Sequence, residues 1–217
     1  MKKLLIIQVV IILLVGIIGN DSLFSIVNSC IGICFNFLVS INNPIGFIFG
    51  VIYAILNGIL SIQTQVYATA FFMIFIQIPM AIYSYISWAR KKEVSEAIMK
   101  SLNKKQIFIV SIFMIVLSLI MYFVLQKLNS SNIIVDDFFF VVTVTSCLLL
   151  AFCYKSAYLI TFFSGVSGSI LWLVQMINTG NGLSISVFYI IVTINAVIAL
   201  FQQYESLNRF FKKLLKI

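Results

Sequence analysis

Eight apolar runs, each near the length that crosses a bilayer, organise the 217 residues of this chain. They cover roughly residues 4 to 19, 22 to 41, 44 to 62, 66 to 88, 106 to 126, 137 to 153, 156 to 177 and 184 to 205. About 20 apolar residues in a helix match the hydrocarbon core of a membrane. Hydrophobic residues make up 62% of the chain and charged residues 9%, with mean hydropathy +1.15. No water-soluble fold of this size hides so much apolar surface, because more than half of a folded protein's surface stays exposed. Barrel strands would alternate polar and apolar residues over about ten positions, and no such alternation appears. The expectation is an all-α membrane protein with eight transmembrane helices.

Cation placement orients these spans. With eight of them and both termini inside, thirteen of the fourteen Lys and Arg residues face the cytoplasm and Lys127 alone faces out. Cationic segments resist translocation and are held by anionic lipid, so this asymmetry predicts the topology. The stretch MAIYSYISWARKKEVSEAIMK, residues 80 to 100, marks one membrane edge, where Trp88 precedes a cluster of cations. The net charge of +8 then calls for no nucleic acid. The tail NRFFKKLLKI reads as an amphipathic segment on the lipid surface. The first run is short and follows Lys2 and Lys3, as a signal sequence would, but VGIIGN lacks a small-x-small cleavage pattern.

Most catalytic chemistry is excluded. The chain contains no histidine, no HExxH, no GxSxG and no Walker loop. Cys30, Cys34, Cys147 and Cys153 lie inside apolar spans without the further ligands that zinc needs, and read as packing residues. Neither metal nor cofactor is expected, and the chain reads as a non-enzyme. The six carboxylates fall at span ends or in loops, so no buried acid is expected to carry protons across the bilayer. Asp136 and Asp137 read as caps on the start of the helix beginning at 137, although adjacent carboxylates could also serve a membrane enzyme.

The informative residues are amides. Asn57, Gln77, Gln175 and Asn195 sit inside spans, where an unpaired amide is costly and must bond another helix, water or a ligand. Adding 118 carries Gly50 onto Gly168, Asn57 onto Gln175, Gln77 onto Asn195 and Ala81 onto Ala199. This weak internal repeat predicts two parallel three-helix bundles, 21 to 88 and 127 to 207. A linker helix, 106 to 126, and a basic cytoplasmic loop, 89 to 105, join them; a membrane helix, 1 to 20, precedes them and a basic tail, 208 to 217, follows. Parallel repeats place a transport site near the midplane between halves. Gln77, Ala81, Ser84 and Trp88 share one helical face, and Pro79 predicts a kink one turn from Gln77 that could hinge a gate.

The stretch NNPIGFIFGVIYAILNGILSIQTQVYATAFFMIFIQIPMAIYSYISW resembles the first bundle of the PnuC-type vitamin transporters. The segment from VDDFFF to ESLNR is similar to the second. Where that family often carries Trp-x-x-Trp, this chain has Tyr85-Ile86-Ser87-Trp88, keeping only the second tryptophan. The resemblance implies a three-plus-one-plus-three, SWEET-like core preceded by one N-terminal helix. It also implies import of nicotinamide riboside, thiamine, riboflavin or a nucleoside by facilitated diffusion, with phosphorylation by a cytoplasmic kinase trapping the product. A sugar or other small-solute carrier of the same architecture is the alternative, and a non-transporting scaffold the third class. Flat rings stack on Trp and Tyr, and ribose hydroxyls bond Asn and Gln. The expected substrate contacts are Tyr53, Asn57, Gln77, Tyr85, Trp88, Tyr154, Trp172, Gln175 and Asn195. Besides substrate and kinase, the expected partner is membrane lipid in the inner membrane of a bacterium; homo-oligomer formation is left open.

Overall fold

The computed structural model describes residues 2–90, 92–93, 96–97, 99–130 and 132–203. The basic tail at 208 to 217 lies outside these residues. Eight apolar helices account for nearly all of what is described: α1 (Lys2–Ile18), α2 (Leu23–Ser40), α3 (Gly46–Gln63), α4 (Tyr67–Arg90), α5 (Lys104–Leu128), α6 (Ile133–Ala151), α7 (Ala157–Thr179) and α8 (Leu183–Gln203). Seven are long and apolar enough to cross a membrane, and α1, at 17 residues, is the shorter one. In the loop after α4, Lys92–Glu93 pairs antiparallel with Glu96–Ala97. Lys100 then exchanges backbone bonds with Cys153 and Lys155, tying this loop to the α6–α7 turn.

Local chemistry explains the helix ends. Ser22 accepts the backbone N–H of Ser25 to start α2. Asn103 and Gln106 form a reciprocal capping box at α5, which satisfies two otherwise orphaned donors. Asn129 and Gly180 end α5 and α7 in the left-handed region, with φ of 52° and 70°. In α4, Phe72–Gln77 winds as a π-helix just before Pro79. Proline cannot donate to the carbonyl of Phe75, and the wider turn absorbs that gap.

The helices pack as two triplets, α2–α4 and α6–α8, in each of which the middle helix touches both others. Two seams join the triplets, α2 against α8 and α4 against α6. The flanking helices take matching places: α1 touches α2 and α8, and α5 touches α6 and the start of α4.

Each seam is closed at one end by an aspartate that caps a helix of the opposite triplet. Asp21, just before α2, accepts the backbone N–H groups of Gly182, Leu183 and Ser184 at the start of α8. Asp136, in the first turn of α6, accepts the Ala68 N–H at 3.2 Å and the Thr69 hydroxyl at 2.9 Å at the start of α4, and also the Ser130 hydroxyl. The expectation that Asp136 and Asp137 cap their own helix is corrected here. That helix begins at Ile133, so Asp136 projects sideways to α4, while Asp137 accepts the Ser118 hydroxyl of α5. The expectation that no carboxylate is buried is corrected too: Asp21, Asp136 and Asp137 are all buried. Each is held by donors, which is how a carboxylate persists away from water.

Candidate functional site

A cavity of about 80 Å³ lies between the triplets, and all six of their helices contribute to it. Phe35, Asn36 and Val39 come from α2, Tyr53 from α3, and Phe72, Met73 and Gln77 from α4. Opposite them stand Thr143, Ser146, Cys147 and Leu150 of α6, Thr161 and Ser164 of α7, and Phe188, Tyr189 and Val192 of α8. Phe72, Met73 and Gln77 all belong to the π-turn of α4. None of these lining residues is charged.

The repeat glycines build the aromatic wall. A Cβ on Gly50 would lie 2.9 Å from the Phe35 ring, and one on Gly168 would lie 2.6 Å from the Tyr189 ring. Their bare backbones let those rings press into the neighbouring helix, which is the use of small residues in membrane packing. The Tyr53 and Tyr189 hydroxyls meet at 2.9 Å, joining the triplets at the cavity wall. On the far wall the hydroxyls bond one another, Thr143 with Ser164 at 2.7 Å and Ser146 with Thr161.

Two amides remain open to this space. Gln77 is 6% exposed and makes no hydrogen bond among the described residues. Asn36 accepts the Asn195 Nδ2 at 3.1 Å through its Oδ1, and its own NH2 makes no hydrogen bond among the described residues. Aromatic rings with two unspent amides form a surface suited to a flat polar ring, since stacking and hydrogen bonding act on perpendicular directions of such a ligand.

The nine expected contact residues divide. Tyr53 and Gln77 line the cavity. Asn57, one turn from Tyr53, is fully buried and accepts Asn28 Nδ2 at 3.1 Å. Asn195 turns to Gln8 of α1, which donates to it at 2.7 Å, and to Asn36. Trp88 packs edge-on against Phe47 and donates to the Leu150 carbonyl at 2.9 Å, bracing the α4–α6 seam. Tyr154 lies in the α6–α7 turn, with Gln106 on its hydroxyl and Lys100 over its ring. Tyr85 is 39% exposed on the outer face of α4. Trp172 and Gln175 are buried in α7 and do not line the cavity, the former beside Gly182 with its Nε1 making no hydrogen bond among the described residues.

Sequence reasoning overlooked Gln8, Asn28 and Asn36, three further amides inside apolar runs. Each has the signal that singled out Asn57, a costly polar group at membrane depth, but at the repeat offset Asn28 and Asn36 fall on Ser146 and Tyr154, and only Gln8 has an amide counterpart, Gln126.

A comparison with curated proteins finds no match. Among solved structures, the chain is similar to the "Crystal structure of the Vitamin B3 transporter PnuC", with a TM-score of 0.82 and 19% identity over 94% of this chain and 90% of that one. At that identity the likeness establishes a common fold. The family model described as "Nicotinamide mononucleotide transporter" matches residues 22–204, from the cap of α2 past the end of α8. With both triplets inside that match, the chain belongs to the nicotinamide mononucleotide transporter family.

Proposed function

We propose that this chain carries a small aromatic vitamin or nucleoside, of the nicotinamide riboside, thiamine or riboflavin kind, through the inner membrane of a bacterium. In this reading both termini are cytoplasmic and the triplets form a parallel three-plus-one-plus-three repeat. They rock about the central cavity so that it opens alternately to each side. Transport is facilitated diffusion, and phosphorylation by a cytoplasmic kinase traps the product. The observation that carries the proposal is the cavity itself, built by all six triplet helices, walled by Phe35, Tyr53, Phe72, Phe188 and Tyr189, and open to the amides of Gln77 and Asn36.

Two features narrow the substrate. The volume of the cavity, about 80 Å³, is below the roughly 300 Å³ of ordinary ligand sites, so loading requires the lining side chains to move apart. The uncharged lining gives a phosphate no partner, and an unpaired buried charge costs several kcal/mol, of order, so a nucleoside fits better than a nucleotide. The same lining holds no carboxylate to couple a proton, which supports an uncoupled mechanism.

Thermal-shift binding to the purified protein tests this, with nicotinamide riboside, thiamine, riboflavin, a nucleoside panel, glucose and nicotinamide mononucleotide. One of the unphosphorylated aromatic compounds should bind, and neither glucose nor the mononucleotide should displace it. Uptake into liposomes should equilibrate without an imposed gradient. Binding of glucose alone, or accumulation that depends on a proton or sodium gradient, would overturn the reading.

A further inference from the structure

Gln8 lies in α1, before the residues that the family model covers. It is the one polar residue of that helix beyond its two initial lysines, and it is 4% exposed while Ile6, Ile7, Val10 and Ile11 around it are exposed. A lone amide on an otherwise apolar helix is held only where it finds bonds. Gln8 finds two, both to Asn195: its Nε2 donates to Asn195 Oδ1 at 2.7 Å, and its Oε1 accepts Asn195 Nδ2 at 3.3 Å.

The geometry points to Gln8 as a positioning residue that sets the polarity of the cavity, acting through Asn195 on Asn36. An amide has one acceptor end and one donor end. Gln8 occupies the acceptor of Asn195, so Asn195 presents its NH2 to Asn36 and holds the Asn36 carbonyl at 3.1 Å. Asn36, which lines the cavity, is thereby left with its own NH2 for the ligand. The relay makes this wall of the cavity a hydrogen-bond donor and selects ligands that present a carbonyl, carboxamide or hydroxyl oxygen there. With Gln8 removed, Asn195 can rotate end for end, Asn36 can follow, and donor and acceptor exchange at the wall. A helix outside the matched residues thus reaches the recognition surface without touching the ligand.

This inference rests on the transport reading for its ligand, and the experiment separates the two. Binding of nicotinamide riboside, or of whichever probe in the panel above binds the parent, is measured for the full chain and for Gln8→Leu, Asn36→Leu and the double variant. Gln8→Leu should weaken binding about tenfold, as the loss of one oriented hydrogen bond does. In the Asn36→Leu background the same change should have no further effect, because the group it orients is gone. Unchanged binding in Gln8→Leu, or an equal loss in both backgrounds as general loosening of α1 would produce, overturns the relay. A parent that binds no probe defeats the transport reading instead. The relay is then judged on the empty protein labelled with 15N-asparagine, where the side-chain resonance that disappears in Asn36→Leu should shift in Gln8→Leu. A resonance that stays in place rules the relay out.

Discussion

The two seams between the triplets begin from equivalent sequence and end differently. Along the α2–α8 seam the repeat amide Asn195 is held by Gln8 and Asn36, so its bonding capacity is spent inside the protein. Along the α4–α6 seam its counterpart Gln77 lines the cavity, and its side chain makes no hydrogen bond among the described residues. The flanking helices explain the difference. Gln8 of α1 bonds Asn195 on α8, whereas among the described residues no side chain of α5 bonds Gln77 on α4, and Ser118 of α5 instead meets the carboxylate of Asp137 on α6. The α4 side is also the one with a π-turn and a proline, whereas α8 is a continuous α-helix. Repeats of sequence therefore set matching positions, and the neighbour that reaches each position first decides whether it is structural or open to a ligand.

The strongest way to break the comparison is at the caps. Asp136→Ala strips the start of α4 and the Ser130 hydroxyl of a fully buried carboxylate, and should destabilise the empty protein by about 3 kcal/mol in denaturant unfolding. Asp21→Ala frees backbone donors at a less enclosed helix start and should cost about 1 to 2 kcal/mol. Equal losses would mean that the seams are held alike.

Next comes the amide pair. Asn195→Leu leaves Gln8 and Asn36 unpaired, and should lower the stability of the empty protein by about 1 to 2 kcal/mol. Gln77→Leu breaks no side-chain hydrogen bond among the described residues, so the melting temperature of the empty protein should hold or rise, while ligand affinity should fall about tenfold. If Gln77→Leu binds as tightly as the parent, the open amide is not a ligand contact.

The smallest effect is expected at Pro79. Pro79→Ala restores a donor for the Phe75 carbonyl and removes the reason for the π-turn. Binding should persist while liposome uptake slows severalfold, because α4 then resists bending. Unaltered uptake would place the hinge elsewhere.

How much was legible differs by residue. The linker run read as 106 to 126 is the helix Lys104–Leu128, and the run read as 66 to 88 is Tyr67–Arg90, because length and hydropathy leave little freedom once the solvent is lipid. The face of Gln77, Ala81, Ser84 and Trp88 is buried along its whole length, as helical spacing requires. Trp88 illustrates the opposite case. Its place at a span end is legible, yet only the packing shows its ring against Phe47 and its N–H on Leu150.

By itself, then, the sequence determined the solvent, the helices and the repeat, since each follows from near-neighbour chemistry: apolar run length, capping and residue spacing. Tertiary structure alone decided which polar groups are free. Asp136 faces α4 rather than its own helix, Gln8 takes Asn195, and Asn36 and Tyr189 join a cavity that no single helix outlines. The physical reason is that a hydrogen bond inside a membrane goes to whichever group lies within about 3 Å. For Gln8 and Asn195, 187 residues apart, that distance exists only once α1 has packed against α8.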